Sequence, residues 1–281
     1  MAKVTIEPVS RIVLGLVIII VVILVILLLV MLAAVLLRPL LDRYNRPADI
    51  KKAKELGDEL ASSKGKTFVA VVAHPDDAEW WAGGTLGLLS SKGNKVVLVV
   101  GTSGEKGANV NGLNKIREQK QLEAAKIQGY SKVVFLRHPD RGLSEAPHLT
   151  EEIVKVFDQY KPDAVFTFDI AKEGPVYHHA DHEAAGKAAW AAGPKYKKGL
   201  TYYLIHTSAP NTIVDFEPVK EKKGKALSIV TSYGQNALWM RFLRPVVRSS
   251  ANRNNDQWYG GRNTFTEVGV QYGEVFRKVS S

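Results

Sequence analysis

The chain has 281 residues, 46% of them hydrophobic, which is enough to bury a full domain core. It contains no cysteine, which excludes disulfides, cysteine metal ligands and cysteine nucleophiles. The formal net charge of +10 comes without an Arg/Lys run interleaved with aromatics and without zinc-finger spacing, so no nucleic-acid partner is expected.

In chain order, residues 1–11 are a short tail. Ile12 to Leu37 then run without a charge or a proline. At about 1.5 Å per residue a helix over 12–37 exceeds the roughly 30 Å hydrocarbon core of a bilayer. It is also longer than the apolar core of a signal peptide. The run is therefore read as one N-terminal transmembrane helix, with the lipid bilayer as a partner. Arg38, Arg43, Arg46, Lys51, Lys52 and Lys54 follow it, against Lys3, Arg11 and Glu7 before it. That asymmetry predicts a single-pass membrane protein with its large domain on the cytoplasmic face, where a basic surface would meet anionic headgroups. Residues 38–65 read as a polar juxtamembrane connector with a short helix, and 66–281 as the domain proper.

Within that domain, 67–73, 95–100, 132–136 and 163–168 are short β-branched and aromatic runs, each followed closely by Gly, Asp or Pro. Helical stretches at 82–92, 113–129 and 149–160 separate them, the second with an apolar stripe at Ile116, Leu122, Ala125 and Ile127. This alternation predicts an α/β fold, a Rossmann-like, mostly parallel sheet flanked by helices, with ligands outside the carboxyl ends of the strands. Further on, 199–207 and 212–216 read as strands, 219–248 as mostly helical and 249–263 as a loop. Within the helical part, 236–247, where Leu238, Trp239, Phe242 and Leu243 alternate with Arg241 and Arg244, reads as a helix packed on the core, with a bilayer-interface segment as the alternative.

The polar clusters fall where that rule puts a site. His74, Asp76 and Asp77 follow the first strand, "GTSGEKG" (101–107) the second, "RHPDRG" (137–142) the third and "DIAKEGPVYHHADH" (169–182) the fourth. Zinc takes imidazole nitrogen and carboxylate oxygen, and a catalytic zinc keeps one open position for water. His74 and Asp77 in one loop, and His179 and His182 in another, are the candidate ligands; the two histidines need not both bind. A metal also accounts for two adjacent aspartates, one on the cation and one free as a base. There is no Gly-x-Ser-x-Gly elbow, Walker A loop or His-Glu-x-x-His, which leaves hydrolysis by a metal-activated water.

"AHPDDAEWWAGGTL", "TSGEKG", "REQKQLEAAKIQGYSKVVFLRHPDRGL", "KPDAVFTFD" and "HADH", in this order over residues 66 to 192, resemble the PIG-L/LmbE-like deacetylases, zinc-dependent enzymes that remove acetyl groups from N-acetylglucosamine-type sugars. The resemblance implies one Zn2+ per chain on His74, Asp77 and His182, with Asp76 as general base. It implies that His179 stabilises the oxyanion or protonates the leaving amine, that Asp181 orients its neighbour and that Tyr177 closes over the substrate carbonyl. Arg117 and Asp140 match positions that bind sugar hydroxyls. His178 has no family role and reads as a surface histidine. The second motif has alanine where many members have proline. The expected activity is therefore membrane-anchored deacetylation of an N-acetylated amino sugar, lipid-linked sugars included. The alternatives are a catalytically silent sugar-binding module and a deacylase of another N-acyl amine.

Overall fold

The computed structural model describes residues 13–29, 32, 46–171, 178–232 and 263–281. Met1–Tyr44 and Asn45–Ser281 are two separate compact units.

In the first unit the described helix, α1, covers residues 13–29, and its apolar side chains are exposed. This corrects the expectation of a transmembrane helix over 12–37. Among the described residues no helix is long and apolar enough to cross a membrane. The 17 residues described for α1 rise about 25 Å, less than the roughly 30 Å of a hydrocarbon core. Residues 12, 30, 31 and 33–37 of the expected span lie outside the described residues. The bilayer as partner, membrane anchoring, the single-pass topology and the cytoplasmic placement all rested on that span and are not supported.

The second unit opens with α2 (Ile50–Ala61), whose first turn is capped by the Asp49 carboxylate accepting from the Lys52 amide at 2.9 Å. The sheet follows: β1 (Thr67–Val72), β2 (Lys95–Thr102), β3 (Lys132–His138), β4 (Ala164–Phe168), β5 (Thr201–Ile205), β6 (Thr212–Asp215), β7 (Asn263–Phe265) and β8 (Val270–Ser280). Its order is β3-β2-β1-β4-β5-β8-β6, with β7 paired to β8. β1 to β5 are all mutually parallel, with Phe68 in register with Val96 on one side and Ala164 on the other. The Rossmann-like, mostly parallel sheet read from the sequence is thus present. β8 runs antiparallel to β5, β6 and β7; the sequence reading assigned no strand there.

Helices cover the sheet: α3 (Asp77–Trp81), α4 (Gly83–Ser91), α5 (Leu113–Gln128), α6 (Leu149–Tyr160), α7 (Ala180–Tyr196) and α8 (Lys220–Val230). β1, β2 and β4 are near-continuous apolar runs because both faces are covered, and Val69, Val97, Leu98 and Val165 are fully buried. The expected stripe on α5 is only partly the face it buries: Ala125 is buried and Ile127 packs against the core, but Leu122 is not part of that face. Leu122 is 52% exposed, while Leu113, Arg117, Gln121, Ala124, Ala125 and Gln128 are buried. The helix therefore turns three polar side chains inward, which an apolar-periodicity argument cannot find. Of the region read as helical at 219–248, α8 accounts for the start; 233–262 lie outside the described residues, and Asn263, the end of the expected loop at 249–263, opens β7.

Candidate metal centre and active-site cleft

β1 and β4 are neighbours in the sheet, but the chain leaves β1 toward β2 and leaves β4 toward β5. The loops therefore part at this point and open a crevice at the carboxyl ends of the two strands. His74 follows β1, Asp76 and Asp77 start α3, and His179 and His182 start α7 after β4. They line a cleft of about 430 Å³ together with Trp80, Trp81, Lys106, Arg117, Asp140 and Arg141.

His74, Asp77 and His182 are buried and close together. His182 Nε2 lies 3.2 Å from Asp77 Oδ1, and His74 Nδ1 lies 3.5 Å from Asp77 Oδ2. Two donors on one tetrahedral zinc are about 3.3 Å apart when each sits about 2.0–2.1 Å from the ion; the His182–Asp77 spacing matches this, while His74 approaches the other Asp77 oxygen. Asp77 Oδ2 also accepts the Ala73 and His74 amides at 3.1 and 2.7 Å, which pins the carboxylate to the end of β1. Burial opposes its charge, but His182 and His74 hold its carboxyl well below the usual range. Phe168, the last residue of β4, stacks on His182 with ring centroids 4.0 Å apart and fixes that ring.

The other nitrogen of His74 meets two more carboxylates. Nε2 is 3.2 Å from Asp181 Oδ2 and 3.3 Å from Asp140 Oδ1. Burial works against a charge on His74, yet Asp140, Asp181 and Asp77 push its ring up to about 12. Three carboxylates around one imidazole concentrate negative potential where a divalent cation would sit. A carboxylate on the far nitrogen is the usual partner of a metal-binding histidine, because it fixes the tautomer. The residues present therefore fit zinc. Among the described residues two groups of donors converge, His74 with His179 and His182, and His74 with Asp140 and Asp181.

Asp181 is fully buried, and its carboxylate also accepts the Arg141 amide at 2.7 Å and the Leu143 amide at 3.1 Å. It thus ties the loop after β3 to the start of α7. The side chain it touches is His74 rather than a sequence neighbour. Asp140 accepts the Lys106 amide at 2.8 Å. Burial opposes its ionisation, but His74 and that amide bring its carboxyl down to about 2. His179 caps α7, and its Nδ1 accepts the Asp181 amide at 3.2 Å. Burial, followed by the nearby His74 and His182, lowers its pKa. With Nδ1 engaged as an acceptor, the neutral ring carries its proton on Nε2. His178 is exposed, and Tyr177 lies outside the described residues.

Asp76 sits between the cluster and α5. Its backbone is left-handed, with φ 115°, which is strained for a non-glycine residue. Its amide donates to Gln121 Oε1 at 2.9 Å, and its Oδ2 lies 3.0 Å from Arg117 Nη2. Arg117 is buried and also donates to the Pro75 and Gly104 carbonyls. Gly104 must be glycine: its φ is +63°, and a Cβ would run into the Arg117 guanidinium. Arg117, matched by resemblance to sugar binding, is thus engaged with the loops that carry Asp76.

Several residues at the site went unread in the sequence. Trp80 and Trp81 line the cleft, and Trp81 packs on His206 with ring centroids 4.5 Å apart. Glu79 and Gln121 are fully buried next to Asp76. The available signal was the spacing of Arg117 and Gln121, one helical turn apart on a helix that follows a glycine-rich loop.

Residues 69–193 match the family model PIG-L, GlcNAc-PI de-N-acetylase. The chain is 28% identical over 211 residues to a diacetylchitobiose deacetylase of Thermococcus kodakarensis, covering 66% of this chain and 76% of the relative. It is 30% identical over 175 residues to YaiS, an uncharacterized deacetylase of Escherichia coli, covering 60% of this chain and 91% of that protein. Among solved structures, N,N'-diacetylchitobiose deacetylase from Pyrococcus horikoshii, complexed with an inhibitor, superposes with a TM-score of 0.62 at 26% identity, over 80% of this chain and 90% of that one. Together with the His/Asp cluster at the sheet's switch point, these similarities establish that the chain belongs to the PIG-L family of LmbE-like deacetylases.

Proposed function

We propose that this protein is a zinc-dependent hydrolase that removes the acetyl group from an N-acetylated amino sugar. The observation that carries the reading is the convergence of His74, Asp77 and His182 beside a second aspartate, Asp76, in an open cleft. His74, Asp77 and His182 would hold the ion. A bound zinc supplies Lewis acidity toward the acetyl carbonyl and makes a water deprotonable near neutral pH.

The chain's own residues do the rest. Asp181 and Asp140 hold His74 so that Nδ1 faces Asp77. Asp76, held by Arg117, takes a proton from the attacking water as its oxygen bonds to the acetyl carbon. His179 donates its Nε2 proton as a hydrogen bond to the oxygen on which charge develops. The carbon–nitrogen bond then breaks, and the proton held by Asp76 passes to the leaving amine. The products are acetate and the free amino sugar.

The test is to incubate the zinc-loaded protein with N-acetylglucosamine and its oligosaccharides and follow acetate release and acetyl loss by mass spectrometry. Activity abolished by a chelator and restored by zinc is the expected result. Saccharide binding without acetate release from the zinc-loaded protein would identify a silent sugar-binding module instead.

A further inference from the structure

We infer that Gln121, oriented by Glu79, is a positioning residue that holds the Asp76 backbone in its left-handed conformation and so keeps the Asp76 carboxylate in place as the base. The inference rests on the reading of Asp76 given above.

Asp76 stands at the N-terminal end of α3, yet its side chain makes no capping hydrogen bond there. An aspartate released from the cleft would relax toward ordinary backbone angles and turn its carboxylate elsewhere. Two side chains of α5 oppose this. Gln121 Oε1 accepts the Asp76 amide at 2.9 Å, and Arg117 Nη2 lies 3.0 Å from Asp76 Oδ2. They are one turn apart on the same buried face, so one helix grips both the backbone and the carboxylate of Asp76.

The Gln121 amide could point either way, and only one orientation works. Its Nε2 donates to both oxygens of Glu79 at 3.1 Å each, which leaves Oε1 facing Asp76. A flipped amide would set its NH2 against the Asp76 N–H, donor against donor. Both side chains are fully buried, in the interior where an apolar pair would avoid the desolvation cost. A buried Glu–Gln pair next to a strained residue of the cleft has a specific task, and the hydrogen-bond directions identify it.

The test replaces Gln121 with methionine, which has similar length but no acceptor. Gln121→Met should fold, keep about one zinc per chain and show a nearly unchanged KM, while kcat falls roughly 10- to 100-fold. Its crystal structure should show Asp76 φ relaxed out of the left-handed region. In an Asp76→Asn background the same substitution should add less than about threefold, because it acts through Asp76. The paired exchange Glu79→Gln with Gln121→Glu keeps a donor facing an acceptor and should keep kcat within about tenfold of the wild type. It carries the test if Gln121→Met does not fold. Full kcat in a folded Gln121→Met, an equal loss in the Asp76→Asn background, or a folded, zinc-loaded exchange variant below that tenfold limit would overturn the proposal alone. Full activity in Asp76→Asn would overturn the reading of the base, and this proposal with it.

Discussion

Asp181 Oδ2 lies 3.2 Å from His74 Nε2, across 107 residues of chain, while the same carboxylate accepts the Arg141 and Leu143 amides. One buried group therefore sets the tautomer of a candidate zinc ligand and anchors the loop that carries Asp140. Asp181→Ala should fold with zinc present but bind the ion roughly 10- to 100-fold more weakly, the range for losing a carboxylate behind a ligating histidine. Zinc titration against a competing chelator measures this, and wild-type affinity in the variant would exclude the role.

Asp76 and Asp77 are adjacent and carry the same charge, but they are held differently. Asp77 contacts His74 and His182, whereas Asp76 contacts Arg117 and Gln121. Asp76→Asn should retain zinc and lose kcat by roughly 10²- to 10⁴-fold. Asp77→Asn should first lose zinc, with activity partly recovered by excess metal. Metal analysis beside kinetics separates the two, and the reverse pattern of zinc content would exchange their assignments.

Burial, only partly offset by the Gln121 amide, pushes the Glu79 carboxyl up to about 8. An unfolded chain ionises this group near the ordinary carboxylate value, so between there and about pH 8 the folded state holds the extra proton. Its contribution to stability is therefore full in acid and declines as pH rises through this window, by up to about 1.4 kcal/mol per pH unit. Glu79→Gln removes the titration and should gain stability relative to the wild type as pH rises from 5 toward 8. Parallel pH dependences in denaturant unfolding of the two proteins would contradict this.

Trp81 lines the cleft and is braced by His206. An indole of this kind offers a flat apolar surface to the axial C–H bonds of a sugar ring. Trp81→Ala should raise KM for an N-acetylglucosamine oligosaccharide roughly tenfold with a smaller change in kcat, the size of one lost aromatic contact. A loss confined to kcat would place Trp81 in the support of Asp76 and Asp77 instead.

The strands β1, β2 and β4 could be read directly because a parallel strand buried on both faces is a continuous apolar run, and its end is marked where polar residues begin. The same reading put His74, Asp76, Asp77, His179 and His182 on one rim, since parallel strands present their carboxyl ends together. Apolar content alone did not carry the transmembrane reading of 12–37, since among the described residues no helix is long and apolar enough to cross a membrane. Periodicity found only part of the buried face of α5, because Arg117 and Gln121 are turned inward by partners on the loops rather than by hydrophobicity. β8 lies between β5 and β6, and its Arg277 reaches Asp169 at the end of β4 with two 2.6 Å contacts. Nothing local to residues 270–280 specifies either partner. Local pattern reports which residues seek the interior and where a strand stops. The direction of each hydrogen bond across the site depends on groups brought together from distant parts of the chain, so only the folded structure decides which nitrogen of His74 meets Asp77 and which meets Asp181.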